Sequence, residues 1–150
     1  MLFKKKQFVI IVGCGRLGAT LAGDLSYKGY DISIIDKNKY AFNELPDHFS
    51  GYQINADGTD TGILENVGIT KATMLLAVTD NDNINSMIAQ IAKRIYNVPN
   101  VYMRLNNPEL EELIKDDGIK VIYPFKLSVD EFERLSSIDI PSNDEYQIER

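Results

Sequence analysis

Residues 8–12, Phe8-Val9-Ile10-Ile11-Val12, form an unbroken apolar run. A parallel strand covered on both faces reads this way. The run passes straight into Gly13-Cys14-Gly15-Arg16-Leu17-Gly18 and then into a helix-like pattern. The same change of period recurs along the chain. Apolar stretches predict strands at 7–13, 30–36, 51–56, 73–78, 100–104 and 118–123. The intervening patterns predict helices at 16–27, 39–45, 59–67, 82–96, 108–116 and 127–136. In the helix from Asp82, residues Ile84, Met87, Ile88, Ile91 and Ile95 are spaced to share one face. Asp80, Asn81 and Asp82 are each suited to cap its start. Such alternation implies an α/β fold, a Rossmann-type doubly wound parallel sheet of about six strands with helices on both faces. Ligands of this architecture sit at the carboxyl ends of the strands. Gly13, Asp36, Asp57, Thr79 and Arg104 each end a predicted strand.

The glycines at 13, 15 and 18 have the spacing of the dinucleotide-binding fingerprint. Gly13 allows a sharp turn, Gly15 lets a pyrophosphate approach the backbone, and Gly18 lets the helix pack close to the strand. The helix N-terminus then offers free N–H groups and partial positive charge to the phosphates. Asp36, ending Asp31-Ile32-Ser33-Ile34-Ile35-Asp36, is placed to accept from ribose hydroxyls. A carboxylate there disfavours a 2′-phosphate, so NAD(H) or a simple adenine nucleotide is expected rather than NADP. Lys37 and Lys39 work slightly against that selection, and Lys37 joins the expected nucleotide-binding set. The other reading of Asp36 is a helix cap. Arg16 is placed to fork onto phosphate oxygens, or is an ordinary first-turn arginine. In Ala56-Asp57-Gly58-Thr59-Asp60, Asp57 either accepts from the adenine amino group or caps the next helix. Ala77 and Val78 are small enough beside the glycine loop to leave room for a nucleotide, with Thr79 and Asp80 following. Arg104 either faces the ligand or pairs with Asp80 or Asp82.

Composition narrows the classes of function. The 150 residues carry 44% hydrophobic side chains and a net charge of −6, which fits one globular domain. The charge argues against nucleic-acid binding and against docking on anionic lipid. No apolar stretch reaches the roughly 18 residues that span a bilayer. Lys4-Lys5-Lys6 precedes an apolar run too short for a signal peptide. The single cysteine, Cys14, excludes an internal disulfide and agrees with a reducing cytosol. The tail 137–150 is polar, contains Pro141, and is expected to be disordered.

The catalytic inventory is poor. His48 is the only histidine and falls in a predicted loop. Cys14 is expected to point away from the phosphates. No transition-metal motif is present, no tyrosine has a lysine four residues on, and no second domain is expected that could hold a substrate. The chain is expected to bind a nucleotide without transforming it; a small NAD-dependent oxidoreductase is the alternative. Phe125, Val129 and Phe132 form an apolar stripe past the sixth strand. That helix either folds back on its own domain or packs on a second subunit.

Several blocks together carry a resemblance. They are Val12-Gly13-Cys14-Gly15-Arg16-Leu17-Gly18, Asp36, Ala56-Asp57-Gly58-Thr59-Asp60 and the run from Ala77 to Asn85. Val101-Tyr102-Met103-Arg104-Leu105-Asn106-Asn107-Pro108-Glu109 and Gly118 to Pro124 complete them. Over residues 7–136 the chain resembles the N-terminal domain of the Trk/Ktr potassium-uptake regulators, also called the TrkA-N or RCK N-terminal domain. The resemblance implies a domain over 1–136 and a cytoplasmic regulatory subunit gating a membrane K⁺ transporter, to which it is peripheral. It implies binding of NAD(H), ATP, ADP or AMP, and assembly as a homodimer or a larger ring, with no membrane insertion of its own. By position, Gly13 to Leu17 would contact phosphates, Asp36 the ribose, Asp57 the adenine, and Thr79, Asp80 and Arg104 the rest. Most members continue into a C-terminal ligand domain; this chain is expected to be a single-domain member.

Overall fold

A computed structural model describes residues 7–139; the lysine run 4–6 and residues 140–150 of the expected tail lie outside the described residues. The elements follow the predicted alternation: β1 (Phe8–Val12), α1 (Arg16–Tyr27), β2 (Asp31–Asp36), β3 (Tyr52–Asn55), α2 (Thr61–Val67), β4 (Met74–Ala77), α3 (Asp82–Gln90), β5 (Asn100–Arg104), β6 (Lys120–Ile122) and α4 (Pro124–Ser136). The strands form one sheet in the order β3-β2-β1-β4-β5-β6, and every pairing is parallel. The order reverses between β1 and β4, so a crevice opens there at the carboxyl ends.

β1 is covered on both faces, as its unbroken apolar run requires. Ile10 and Val12 pack with Leu64 of α2 and Ile88 and Ala89 of α3. Val9 and Ile11 pack on the opposite face with Ala19 and Ala22 of α1. The fold is therefore the expected doubly wound sheet.

Several elements depart from the periodicity, each for a local reason. The segments predicted as helices at 39–45 and 108–116 are 3₁₀ turns over Lys39–Glu44 and Pro108–Leu113. Each begins at an asparagine whose side chain accepts from the amide two residues on, Asn38 from Tyr40 and Asn107 from Glu109. That closure tightens the turn instead of launching an α-helix. α2 starts at Thr61 because Asp60, not Asp57, caps it by accepting from the Gly62 amide. α4 starts three residues before the predicted Leu127, with Pro124 in its first turn.

The single apolar face expected from Ile84 to Ile95 breaks in two places. Met87 and Ile95 are 48% and 61% exposed, because the buried stripe runs through Ile88, Ala89 and Ala92. After Gln90 the helix widens to a π-helical turn over Ile91–Ile95, with the Tyr96 amide donating to the Ile91 carbonyl at 3.3 Å. The extra residue in that turn rotates Ile95 away from the core. α4 contains no buried residue. Among the described residues no helix is long and apolar enough to cross a membrane.

Candidate functional site

The three fingerprint glycines differ in what surrounds them. Gly13 has φ +107°, a conformation that side chains rarely adopt, and a Cβ there would lie 2.8 Å from the Thr79 nitrogen. Its amide donates to the Ile35 carbonyl at 2.8 Å. A Cβ on Gly18 would stand 1.9 Å from the Gly13 oxygen, so α1 packs against the loop only with glycine at 18. Gly15 has nothing within 4 Å of its Cβ position. The first two glycines therefore build the loop, and Gly15 leaves open space in front of it. Gly15 also caps α1 without any side-chain hydrogen bond. The first-turn amides of Arg16, Leu17 and Gly18 consequently have no intrahelical acceptor.

Asp36 holds this loop from β2. Its Oδ2 accepts from the Cys14 amide and its Oδ1 from the Asn38 amide, both at 2.8 Å. Each oxygen retains a further lone pair that a hydroxyl can use. The turn after β2 is shaped by Asn55, whose Nδ2 donates to the carbonyls of Asp36 and Lys37 at 2.9 and 2.8 Å. Nothing in the sequence pattern marks Asn55 for this role. Across the turn, Lys37 Nζ lies 3.5 Å from Asp57 Oδ2, with both side chains well exposed. Asp57 Oδ1 accepts from the Thr59 amide at 2.9 Å and from its hydroxyl at 2.7 Å. These two bonds, helped by Lys37, hold the Asp57 carboxyl below its ordinary range. The expected alternative role of Asp57 as the cap of α2 is taken by Asp60.

Between these groups lies a cavity of about 200 Å³ at the carboxyl ends of the strands. It brings together Gly13, Asp36, Lys37, Asp57, Gly58, Thr79 and Asp80 of the expected site. Its apolar wall comes from Val12, Ile35, Ala56, Ile84 and Ile88. Gly58 is required for the approach of its loop, since a Cβ there would meet Val12 Cγ1 at 2.4 Å. The remaining expected residues do not line this cavity. Ala77 and Val78 are buried behind it, and Arg16 is exposed at the start of α1. Cys14 is buried in the core on the α1 face, and burial together with the neighbouring Asp36 carboxylate raises its thiol to about 11. A larger concavity, about 900 Å³, lies toward the amino ends of β1, β2 and β3, against α2. It has no glycine loop and stands at the end of the sheet opposite to where this architecture binds ligands.

Arg104 ends β5 on the α1 face, since its neighbour Met103 points into the opposite core. It makes no ion pair with Asp80 or Asp82. Asp82 instead accepts from the amides of Asn106 and Asn107 at 2.9 and 2.8 Å, and Asn81 caps α3 through the Ile84 amide. Arg104 Nε is buried without a hydrogen-bond partner. The turn after β4 is tied down by Asn85, which is fully buried and bonded to both Thr79 and the Arg104 carbonyl.

The sequence profile of the TrkA-N domain matches residues 9–124. The Trk system potassium uptake protein TrkA of Streptomyces coelicolor is 31% identical over 126 residues, which cover 84% of this chain and 56% of that protein. The protein of the same name from Vibrio alginolyticus is 35% identical over 134 residues, covering 85% of this chain and 29% of that one. The chain thus spans about half the length of the first relative and under a third of the second. Two solved structures share the fold at lower identity. The AMP-bound Kef CTD of Shewanella denitrificans superposes with a TM-score of 0.67 at 22% identity, over 95% of this chain and 88% of that one. The GsuK channel bound to NAD gives 0.66 at 16% identity, over 83% of this chain and 22% of that one.

Proposed function

The chain belongs to the TrkA-N domain family, and we propose that it is a nucleotide-binding regulatory subunit of a potassium uptake system. The observation that carries this reading is the cavity framed by the glycine loop, Asp36 and Asp57, with open space before Gly15. The proposed ligand is NAD(H) or an adenine nucleotide, ATP, ADP or AMP. In this reading the amides from Gly15 to Gly18 and the Arg16 guanidinium take the phosphates, Asp36 the ribose, and Asp57 the adenine. The solved neighbours bound to NAD and AMP support it, as do the TrkA relatives. Potassium transport by the partner and a cytoplasmic place beside the membrane belong to the same proposal.

A regulatory rather than a catalytic role is supported by where the cysteine and the histidine lie, outside the cavity lining. The only cysteine is buried and held protonated at neutral pH. The only histidine, His48, packs edge-on against the exposed Tyr27 at the C-terminal end of α1, away from the glycine loop. The oxidoreductase alternative is therefore not favoured. A homodimer is part of the reading. α4 carries Phe125, Leu127, Phe132 and Leu135 more than half exposed, and a second copy would cover them.

Calorimetry with NADH, NAD, ATP, ADP and AMP tests the site. Gly15→Val places a branched side chain in the open space and is expected to weaken binding more than tenfold, about 1.4 kcal/mol, without unfolding the chain. Asp36→Ala is expected to weaken binding and also to loosen the loop by about 1–3 kcal/mol, because the Cys14 amide loses its acceptor. Unchanged affinity in both variants would reject the assignment.

A further inference from the structure

The turn that follows β4 stands between two parts of the molecule. On one side Thr79 and Asp80 line the cavity, and the Thr79 nitrogen sits so close to the glycine loop that position 13 admits no Cβ. On the other side stands Asn85, one turn into α3 and fully buried. Its Oδ1 accepts from the Thr79 amide at 2.9 Å and from the Thr79 hydroxyl at 2.6 Å. Its Nδ2 donates to the Thr79 carbonyl and to the Arg104 carbonyl, both at 3.0 Å. All the hydrogen-bonding capacity of the amide is used. Three bonds hold the cavity-lining residue and the fourth holds the end of β5.

From Arg104 the connection continues through backbone. Arg104 is in register with Ile122, and the Leu105 amide donates to the Ile122 carbonyl at 2.9 Å. Pro124, two residues on, begins α4. Buried hydrogen bonds resist being left unmade, so a shift of Thr79 is passed to Arg104 more readily than it is absorbed at Asn85. Capping the end of β4 would need only the three bonds to Thr79. The fourth has no such purpose.

We propose that Asn85 is a positioning residue that couples occupancy of the nucleotide cavity to the β5–β6 edge and to α4. The proposal rests on the nucleotide-binding reading above and adds how binding is reported to the helix offered to a second subunit. Coupling of this kind is a free energy shared between two sites and is reciprocal.

The test is amide hydrogen exchange of the full chain at residues 118–136, with and without saturating NADH or ADP, beside calorimetry of the same ligands. Wild type is expected to change its exchange there by about fivefold or more on binding. Asn85→Asp keeps both acceptor bonds to Thr79 and, in its ionised form, can donate to neither carbonyl, so exchange is compared across a pH series that extends above neutrality, where a buried carboxyl gains its charge. It is expected to bind nucleotide and to protect residues 79–84, while the change at 118–136 falls below about twofold. A merely structural role would lower stability and leave the ligand-linked change intact. A change in Asn85→Asp equal to wild type would therefore overturn the coupling alone. So would binding to wild type with no response at 118–136. Failure of wild type to bind either ligand would overturn the nucleotide reading itself and the coupling with it. If Asn85→Asp does not fold, Thr79→Val removes the 2.6 Å bond to Asn85 and the two weaker 3.2 Å contacts with Asn81, and keeps the three Asn85 bonds made to backbone. It is expected to reduce the change by about twofold, and an undiminished change would count against the coupling.

Discussion

The first helix and the last are both amphipathic, but different things hold them in place. α1 buries Gly18, Ala19, Ala22 and Gly23, residues with almost no side chain, and lets its backbone approach the sheet and the segment after β2. A Cβ at Gly23 would strike Pro46 Cγ at 2.5 Å. α4 is richer in large apolar side chains and buries none of its residues. The number of large apolar side chains therefore does not decide which helix belongs to the domain. Close fit does, and α1 has it within one chain. α4 leaves exposed the apolar side chains that a soluble monomer ordinarily covers.

The largest effect is expected where that fit is tightest. Gly18→Ala puts a methyl group 1.9 Å from the Gly13 oxygen, so α1 must move off the loop. Denaturant unfolding is expected to show a loss of about 3 kcal/mol or more. Gly15→Ala, three residues earlier in open space, is expected to stay within about 1 kcal/mol of wild type. Equal losses at the two positions would erase the distinction between a packing glycine and a ligand-facing one.

Next comes the other helix. Phe125→Glu together with Phe132→Glu alters positions exposed in the single chain, so at concentrations low enough for wild type to be monomeric the two are expected to unfold alike within about 0.5 kcal/mol. Light scattering at tens of micromolar is expected to show a dimer for wild type and a single chain for the variant. Each buried phenyl ring contributes roughly 1.5–3 kcal/mol to such an interface. A dimer that survives the change would place the interface elsewhere and leave the exposure of α4 unexplained.

A smaller effect is expected at the exposed start of α1. Arg16→Gln removes a charge-assisted contact to the outer phosphates, so affinity for ATP is expected to fall more than affinity for AMP, by roughly 1.5–3 kcal/mol against less than 1. Equal losses by calorimetry would show that Arg16 does not read phosphate number.

The smallest is a pH effect. The Asp57 carboxyl titrates below its ordinary value because of its bonds to Thr59 and, to a lesser degree, Lys37. A carboxyl depressed in the folded state adds stability that is fully present above its unfolded value of 3.8. That contribution disappears as the pH falls through the folded value. Asp57→Asn is therefore expected to narrow the difference in urea midpoint between pH 7 and pH 3. An identical acid limb would show that the bonds to Thr59 do not stabilise the fold.

How much of this is readable from the chain depends on how local each feature is. β1 and α1 were legible because an uninterrupted apolar run and a fixed glycine spacing are both written in consecutive residues. The ends of the strands were legible for the same reason, and most of the cavity lining follows from them. Asn55 was not, and Asn85 entered only as the last residue of the run from Ala77, with no role, because each matters through carbonyls up to 19 residues away. Nothing about an asparagine between a strand and a loop, or in the first turn of a helix, announces such partners. Ile84 and Ile88 read as core and are core; that their outer edge also walls the cavity depends on where α3 lies over the sheet. The π-helical turn at Ile91–Ile95 was invisible to a fixed 3.6-residue period, and Ile95 was placed on the wrong face as a result.

The strand order has a further consequence, for how the molecule reaches its folded state. β1 pairs with β2, which follows soon after it, but also with β4, whose start lies over sixty residues along; Thr73 Oγ1 donates to the Phe8 carbonyl across 65 positions. The cavity straddles that second pairing, with Gly13 and Asp36 on one side and Thr79 on the other. Closing so long a loop costs chain entropy before any contact is gained. A nascent chain that has emerged only as far as β3 thus contains every glycine of the fingerprint and still has no binding site. The pocket exists only where β4 has paired with β1.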